Sequence, residues 1–187
     1  MKIGYCLTGS FCTFSRAIDT IDSLVELGYD VYPIMSENAY STNTRFGDAS
    51  DICKKIEEIT NHKIIHTITS AEPIGPKKMY DLLCVAPCTS NTLAKLALGI
   101  TDTCVTMAVK SHLRNDRPVV IGVSTNDALG ACAKNIGALR NYKNYYFVPL
   151  TMDDPINKPK SMVCDFNSIP LTIESALNGK EMYKKIF

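Results

Sequence analysis

Cys84-Val85-Ala86-Pro87-Cys88-Thr89-Ser90-Asn91-Thr92 is the stretch that decides the fold of this chain. Just before and within it, Tyr80, Leu82, Leu83, Cys84, Val85 and Ala86 form a short apolar run, the pattern of a strand covered on both faces, as parallel sheets require. Pro87 ends the run, and the polar residues beyond it open a helix, because a Ser90 or Asn91 side-chain oxygen can accept from the orphan amides of a first turn. Those amides and the positive end of the helix dipole also attract a phosphate or the electron-rich edge of a ring. Ligands in open α/β sheets bind at the carboxyl ends of strands. The stretch is therefore either an ordinary capped helix after a core strand or one wall of a ligand site.

The amino-terminal third repeats the pattern. Lys2–Leu7 (KIGYCL) is an apolar strand followed by Thr8-Gly9-Ser10 and a helix over residues 13–27, whose Ala17, Ile18, Ile21, Leu24 and Val25 recur at helical spacing. Gly28 closes it, Asp30–Met35 (DVYPIM) is the second strand, and Ser36 stands at that strand's carboxyl end. Strand, glycine turn, helix and strand open a nucleotide-binding α/β unit. The turn has a single glycine and lacks the dinucleotide fingerprint GxGxxG; a glycine beside a serine suits a mononucleotide phosphate better than a pyrophosphate. Residues 40–47 (YSTNTRFG) read as a surface loop in which the planar fork of Arg45 could take a carboxylate or phosphate. Residues 48–60 return to helical spacing, Ile64 and Ile65 suggest a brief strand, and Glu72-Pro73-Ile74-Gly75-Pro76 a turn.

Beyond the central strand, residues 93–98 complete a short helix ending at Gly99, and a second helix runs from about residue 100 to 114 with Thr101 or Asp102 as cap. Residues 118–123 (PVVIGV) form a strand that ends in Ser124-Thr125-Asn126-Asp127, residues 128–139 a helix rich in small side chains, and residues 145–149 a last strand. Residues 152–160 are charged and punctuated by proline, as a flap over a site or a plain connection would be, and residues 169–177 give a terminal helix. The alternation implies one doubly wound, Rossmann or flavodoxin-like, three-layer α/β domain over residues 1–187 with a mainly parallel sheet. Four strand ends carry small polar clusters: Gly9-Ser10, Ser36, Thr89-Ser90-Asn91-Thr92 and Ser124-Thr125-Asn126. Gathered along one sheet edge, they describe a neutral, hydrogen-bonding pocket for a ring system and a phosphate.

Composition excludes several classes. A formal net charge of +1 gives no electrostatic case for nucleic acid or an anionic membrane. The chain shows no signal peptide and no long apolar span, and its eight cysteines form no CxxC pair, with Cys6, Cys84 and Cys104 inside apolar runs. A cytoplasmic protein with reduced thiols is expected. The three histidines do not fall into zinc-ligand spacing with the cysteines, so no metal is expected.

The segment Ala86-Pro87-Cys88-Thr89-Ser90-Asn91-Thr92, continued by Ala94-Lys95-Leu96-Ala97-Leu98-Gly99-Ile100-Thr101-Asp102, resembles the PASANT-type motif of the flavin-containing cysteine decarboxylase superfamily, and Leu7-Thr8-Gly9-Ser10 is similar to its amino-terminal motif. Longer strings resemble a branch of that superfamily from spore-forming bacteria: Ser41-Thr42-Asn43-Thr44-Arg45-Phe46-Gly47, Ala71-Glu72-Pro73-Ile74-Gly75-Pro76-Lys77, Arg117-Pro118-Val119-Val120, Ser124-Thr125-Asn126-Asp127-Ala128-Leu129-Gly130, and Asp153-Asp154-Pro155 with Lys158-Pro159. The resemblance implies FMN at the sheet edge, with Gly9, Ser10 and Ser36 toward the phosphate and Thr89, Ser90, Asn91 and Thr92 around the ring or ribityl chain. It further implies a separate nicotinamide-dependent partner that could supply NADP, a homo-oligomer, residence in the mother cell of a sporulating bacterium, and oxidation of a dihydropyridine dicarboxylate to its aromatic form.

A dicarboxylate needs cationic or amide donors, for which Arg45, Asn126 and Lys158 stand in loops at the right edge. A base would help remove the ring proton; Asp102 and His112 are candidates that nothing in the spacing selects. Residues 41–46 offer no counterpart to the catalytic histidine of the cysteine decarboxylases, His62 and His66 come later, and their Pro-x-Met-Asn is replaced by Ser124-Thr125-Asn126-Asp127. These departures argue against decarboxylation and leave the flavin pocket untouched. The alternatives are an FMN-dependent cysteine decarboxylase acting alone and a non-catalytic chain that only binds its partner.

Overall fold

Apolar strands alternate with amphipathic helices from the start of the chain: β1 (Lys2–Leu7), α1 (Phe14–Glu26), β2 (Asp30–Met35), α2 (Glu37–Ser41), α3 (Ala49–Thr60), α4 (Ile68–Ala71), β3 (Leu82–Cys88), α5 (Ser90–Leu98), α6 (Cys104–Leu113), β4 (Val119–Thr125), α7 (Ala133–Arg140), β5 (Tyr145–Phe147), β6 (Leu150–Asp154), β7 (Lys158–Cys164) and α8 (Ile169–Leu177). This computed structural model describes residues 1–180, so the last seven of the domain expected over 1–187 lie outside the described residues.

All seven residues of β3 are buried. Burying one Leu, Ile or Val side chain is worth about 1.5–3 kcal/mol, which puts this strand inside the sheet rather than at its edge. The observed order is β2-β1-β3-β4, with β5 parallel to β4 on its far side and β7 and β6 joined antiparallel at the end of β4. Ile3 of β1 faces Val31 of β2 on one side and Leu82 of β3 on the other. The chain therefore leaves β1 in one direction to make β2 and returns past it to make β3, and the crevice at such a reversal, beyond the strands' carboxyl ends, is where open α/β sheets bind ligands. The fold is the single α/β domain with a mostly parallel sheet that the sequence pattern implies. No helix among the described residues is long and apolar enough to cross a membrane.

Several local expectations are corrected. Residues 152–160 are not a plain connection, and residues 145–149 are not the last strand: β6 and β7 pair as a hairpin, with Met152 opposite Met162 and Asp154 opposite Lys158. Its outer half is exposed on both faces, so it carries no apolar alternation to betray a strand; the Asp154 carboxylate closes the turn by accepting from the Asn157 backbone N–H and side-chain amide at 3.0 and 2.9 Å. The helix expected over 128–139 begins only at Ala133, because the chain turns first through a bond from the Gly130 N–H to the Asp127 carbonyl. Tyr40 and Ser41 finish the short α2, which Ser36 caps through the Ala39 N–H. The strand expected at Ile64 and Ile65 shrinks to one bridge between Ile65 and Ile34. Thr89, not Ser90 or Asn91, caps α5, and Thr103 with Thr106 forms a reciprocal capping box on α6 in place of Thr101 or Asp102.

Candidate functional site at the carboxyl ends of β1, β3 and β4

The three strand ends are tied together by hydroxyls. The Thr8 Oγ1 donates to the Pro87 carbonyl at 2.8 Å and accepts from the Thr89 N–H at 3.0 Å, joining the ends of β1 and β3. One residue pair further out, the Ser10 and Ser124 hydroxyls meet at 2.8 Å and bridge from β1 to β4 across the end of β3. Thr8 is buried, so its two backbone bonds are made in a low-dielectric interior where an unmade partner would carry its full desolvation penalty of about 1–3 kcal/mol. The edge is thereby a fixed surface.

Above it lies a cleft of about 820 Å³, within the 300–1,000 Å³ typical of cofactor sites. Gly9, Ser10, Thr89 and Ser90 line one side, and Ser124, Thr125 and Asn126 continue along the strand ends. The β6–β7 hairpin forms the other side with Asp153, Lys158, Lys160 and Ser161, and the loop before α3 contributes Arg45 and Phe46. That loop is braced from within: Thr44 and Gly47 exchange backbone bonds, and the Asn43 side-chain oxygen accepts from the Ala49 N–H. The Arg45 guanidinium lies over the Phe46 ring at 4.9 Å.

The structure thus brings Gly9, Ser10, Thr89, Ser90, Arg45, Asn126 and Lys158 to one cleft. Three expected cofactor residues do not line it. Ser36 is spent on the α2 cap, Asn91 is exposed on the first turn of α5, and Thr92 is buried beneath the cleft with its hydroxyl accepting from Thr89 at 3.2 Å. The two base candidates also lie elsewhere. Asp102 is held in an exposed pair with Lys95 at 2.8 and 2.9 Å, and that hydrogen bond keeps its carboxyl below the usual range. His112 is buried in α6, its Nε2–H donating to the Pro118 carbonyl at 3.1 Å.

The polarity of the cleft is divided. The side built from β1 and β3 offers neutral hydroxyls and the amides at the start of α5; the hairpin side and the loop carry Arg45, Lys158 and Lys160 around a single carboxylate, Asp153. Asp153 Oδ2 accepts from Lys158 Nζ at 3.0 Å and from Ser161 Oγ at 3.3 Å, and Ser161 also reaches the Thr125 carbonyl. The hydrogen bond to Asp153 holds the Lys158 ammonium above its ordinary value, so Lys158 is charged throughout the physiological range. Asp153, Lys160 and Ser161 escape a reading of the sequence as site residues because the strands that carry them do; the strings Asp153-Asp154-Pro155 and Lys158-Pro159, which resemble the family, are the available signal. Thr8 lies in Leu7-Thr8-Gly9-Ser10, the string similar to the family's amino-terminal motif, but a threonine after a strand gives no sign by itself that it ties two strand ends together.

Burial pushes His112 down to about 4, below its ordinary value of about 6.5 in an unfolded chain. Below pH 6.5 the unfolded state takes up a proton that the folded state refuses, so stability from this residue is present above pH 6.5 and falls as pH drops toward 4, by up to about 3 kcal/mol. Urea melts from pH 7.5 to pH 4.5 are expected to show that decline and His112→Gln to flatten part of it; parallel curves for both proteins would sink the assignment.

Comparison with known proteins gives the family and the fold. Residues 1–170 match the model of the family described as Flavoprotein. The B subunit of dipicolinate synthase from Bacillus subtilis (strain 168) is 46% identical over 181 residues, covering 97% of this chain and 90% of that one. The crystal structure of the B subunit of dipicolinate synthase from Bacillus halodurans C superposes with a TM-score of 0.89 at 42% identity, covering 99% of this chain and 94% of that one. An FMN-dependent cysteine decarboxylase, SpaF, shares the fold with a TM-score of 0.70 at 22% identity over 96% of both chains. With a flavodoxin-like sheet, a polar cleft at its reversal point and these matches along nearly its whole length, the chain belongs to the flavoprotein family, on the branch that holds the B subunit of dipicolinate synthase.

Proposed function

We propose that this chain is the flavin-binding component of a dipicolinate synthase, oxidising dihydrodipicolinate to dipicolinate together with the nicotinamide-dependent A component of that enzyme. The observation that carries the reading is the divided cleft: neutral donors on one side and a cationic hairpin on the other, within one volume large enough for a ring cofactor beside a small dianion. The residues present fit FMN. Gly9 lets the chain pass close to a ligand, Ser10, Thr89 and Ser90 supply hydroxyls, and the start of α5 supplies amides of the polarity a phosphate or a flavin edge needs. Flavin, when bound, accepts the hydride equivalent that aromatisation releases.

The chain's own residues do the rest. Arg45, Lys158 and Asn126 would hold the two carboxylates of the substrate, and Phe46 would cover the ring and exclude water from the mouth of the cleft. No histidine stands among the described residues that line the cleft, which favours this reading over cysteine decarboxylation. The nicotinamide-dependent component is the partner and the route by which NADP enters the reaction. Leu98 and Ile100, exposed at 73% and 42% at the far end of α5, support assembly with further copies of the chain.

The test is an absorbance spectrum of the purified protein from the near ultraviolet to the blue, repeated anaerobically with dihydrodipicolinate. Bound flavin that bleaches on addition of substrate, alone or once the nicotinamide-dependent partner is present, is expected. A colourless protein that takes up no added FMN would overturn the reading. Ser10→Ala removes both a cleft donor and the bond to Ser124, and is expected to weaken FMN retention about tenfold, measured by fluorescence of flavin released on dialysis, while circular dichroism stays that of the parent protein.

A further inference from the structure

Aromatising a dihydropyridine ring removes two hydrogens from it: one C–H bond leaves with its electron pair as hydride, and a second bond to hydrogen breaks with its pair retained in the ring. The second hydrogen departs as a proton and needs an acceptor. Asp102 and His112 are outside the cleft, the first tied to Lys95 and the second buried against Pro118. Among the described residues that line it, the titratable groups are Cys12, Arg45, Asp153, Lys158 and Lys160. A thiol sulfur is a weak acceptor, and arginine and a charged lysine have no lone pair to offer.

A carboxylate in a cleft built for a dianion is out of place unless it has work there, because it repels the ligand. Asp153 is nevertheless held firmly. Ser161, only 3% exposed, donates to Oδ2 from a strand paired with β4, and Lys158 Nζ donates to the same oxygen. Both of these bonds fall on one oxygen, which leaves Oδ1 to take a proton. Asp153 keeps 30% of its side-chain exposure, so the carboxylate is accessible to a small molecule in the cleft. Lys158, at 56%, can turn from Asp153 toward an arriving carboxylate, which leaves the Asp153 carboxylate facing the bound ring.

We propose that Asp153 is the catalytic base, accepting on its carboxylate the ring proton of the dihydropyridine while the hydride passes to the flavin or nicotinamide acceptor of the synthase. The pair of the broken bond closes the aromatic ring, the hydride reduces the acceptor by two electrons, and the proton on Asp153 returns to water as product leaves. This rests on the oxidoreductase reading above.

The experiment compares wild type with Asp153→Asn and Asp153→Glu, each with the nicotinamide-dependent partner, following dipicolinate formation and, separately, calorimetric binding of dipicolinate to the isolated chain. Asparagine keeps an acceptor for Ser161 and Lys158 and removes only the base. Turnover by Asp153→Asn is expected to fall about 100-fold or more, with dipicolinate affinity within about threefold of wild type and flavin content unchanged. Asp153→Glu is expected to recover a substantial part of the turnover. Asp153→Asn that turns over like wild type, or that loses affinity in parallel with turnover, overturns the assignment; the second result makes Asp153 a brace for Lys158. Failure of the oxidoreductase reading is distinguishable, since wild type itself would form no dipicolinate, and it would take this proposal with it.

Discussion

Alanine at Gly75 is expected to destabilise the protein by about 3 kcal/mol, at the upper end of what overpacking a core contact costs, and so to lower its melting temperature by about 6–12 °C for a chain of this size. A Cβ at this position would stand 2.3 Å from the Ser111 carbonyl oxygen and 2.9 Å from its carbon. Both atoms belong to the backbone of α6, so no side-chain rotation relieves the contact and the helix itself must move. Backbone strain plays no part, since Gly75 has φ −72°, which any residue adopts. The helix is not free to move: the Asn115 side-chain amide donates to the Gly75 carbonyl at 2.7 Å just beyond its end, and the Cys104 N–H donates to Glu37 at its start. Gly9→Ala is the control, because a Cβ there meets nothing nearer than Phe11 at 3.6 Å, and it is expected to leave the melting temperature within about 2 °C of wild type. Equal melting temperatures for Gly75→Ala and wild type would mean that α6 packs farther from the 72–75 turn than described.

The contrast between those glycines indicates what the sequence could convey. Buried elements announce themselves: β1 and β2 match their expected bounds residue for residue, α8 does so at the other end of the chain, and the apolar run through Val85 predicts the middle of the sheet. Burial imposes a pattern there that only one structure satisfies. The cleft was legible to the extent that its residues sit at the ends of such strands, which is why Gly9, Ser10, Thr89, Ser90 and Asn126 come together. The cap of α5 is Thr89 and not Ser90 or Asn91, because any small polar residue near a helix start can serve, and the choice is made by backbone angles that composition does not encode. The hairpin escaped because its strands are stabilised by pairing with each other and with β4 through Ser124 and Thr125, a non-local contact that leaves exposed, charged residues unconstrained in pattern. What it conceals is the half of the cleft that carries Asp153, Lys160 and Ser161, and the close approach at Gly75 is equally non-local.

Lys158→Ala is expected to weaken dipicolinate binding about 10- to 100-fold, the range given by loss of one charge-assisted hydrogen bond, with flavin content unchanged because Lys158 stands on the hairpin and not among the hydroxyls of β1 and β3. As a structural element the Lys158–Asp153 pair contributes little, since an ion pair with one partner more than half exposed is largely screened by water; the melting temperature should therefore barely move while affinity falls. Removing the ammonium also leaves Asp153 without that cation, facing a dianion. Part of the loss is then repulsion rather than a missing contact, and combining Lys158→Ala with Asp153→Asn should restore some affinity, a non-additivity that calorimetric titration of the four proteins measures directly. Raising ionic strength should narrow the gap between wild type and Lys158→Ala, as screening weakens both the attraction and the repulsion. If Lys158→Ala binds dipicolinate as wild type does, Lys158 does not read the anion, and recognition must rest on Lys160, Arg45 and Asn126; the loop before α3, whose brace from Asn43 to Ala49 positions Arg45, becomes the next element to vary.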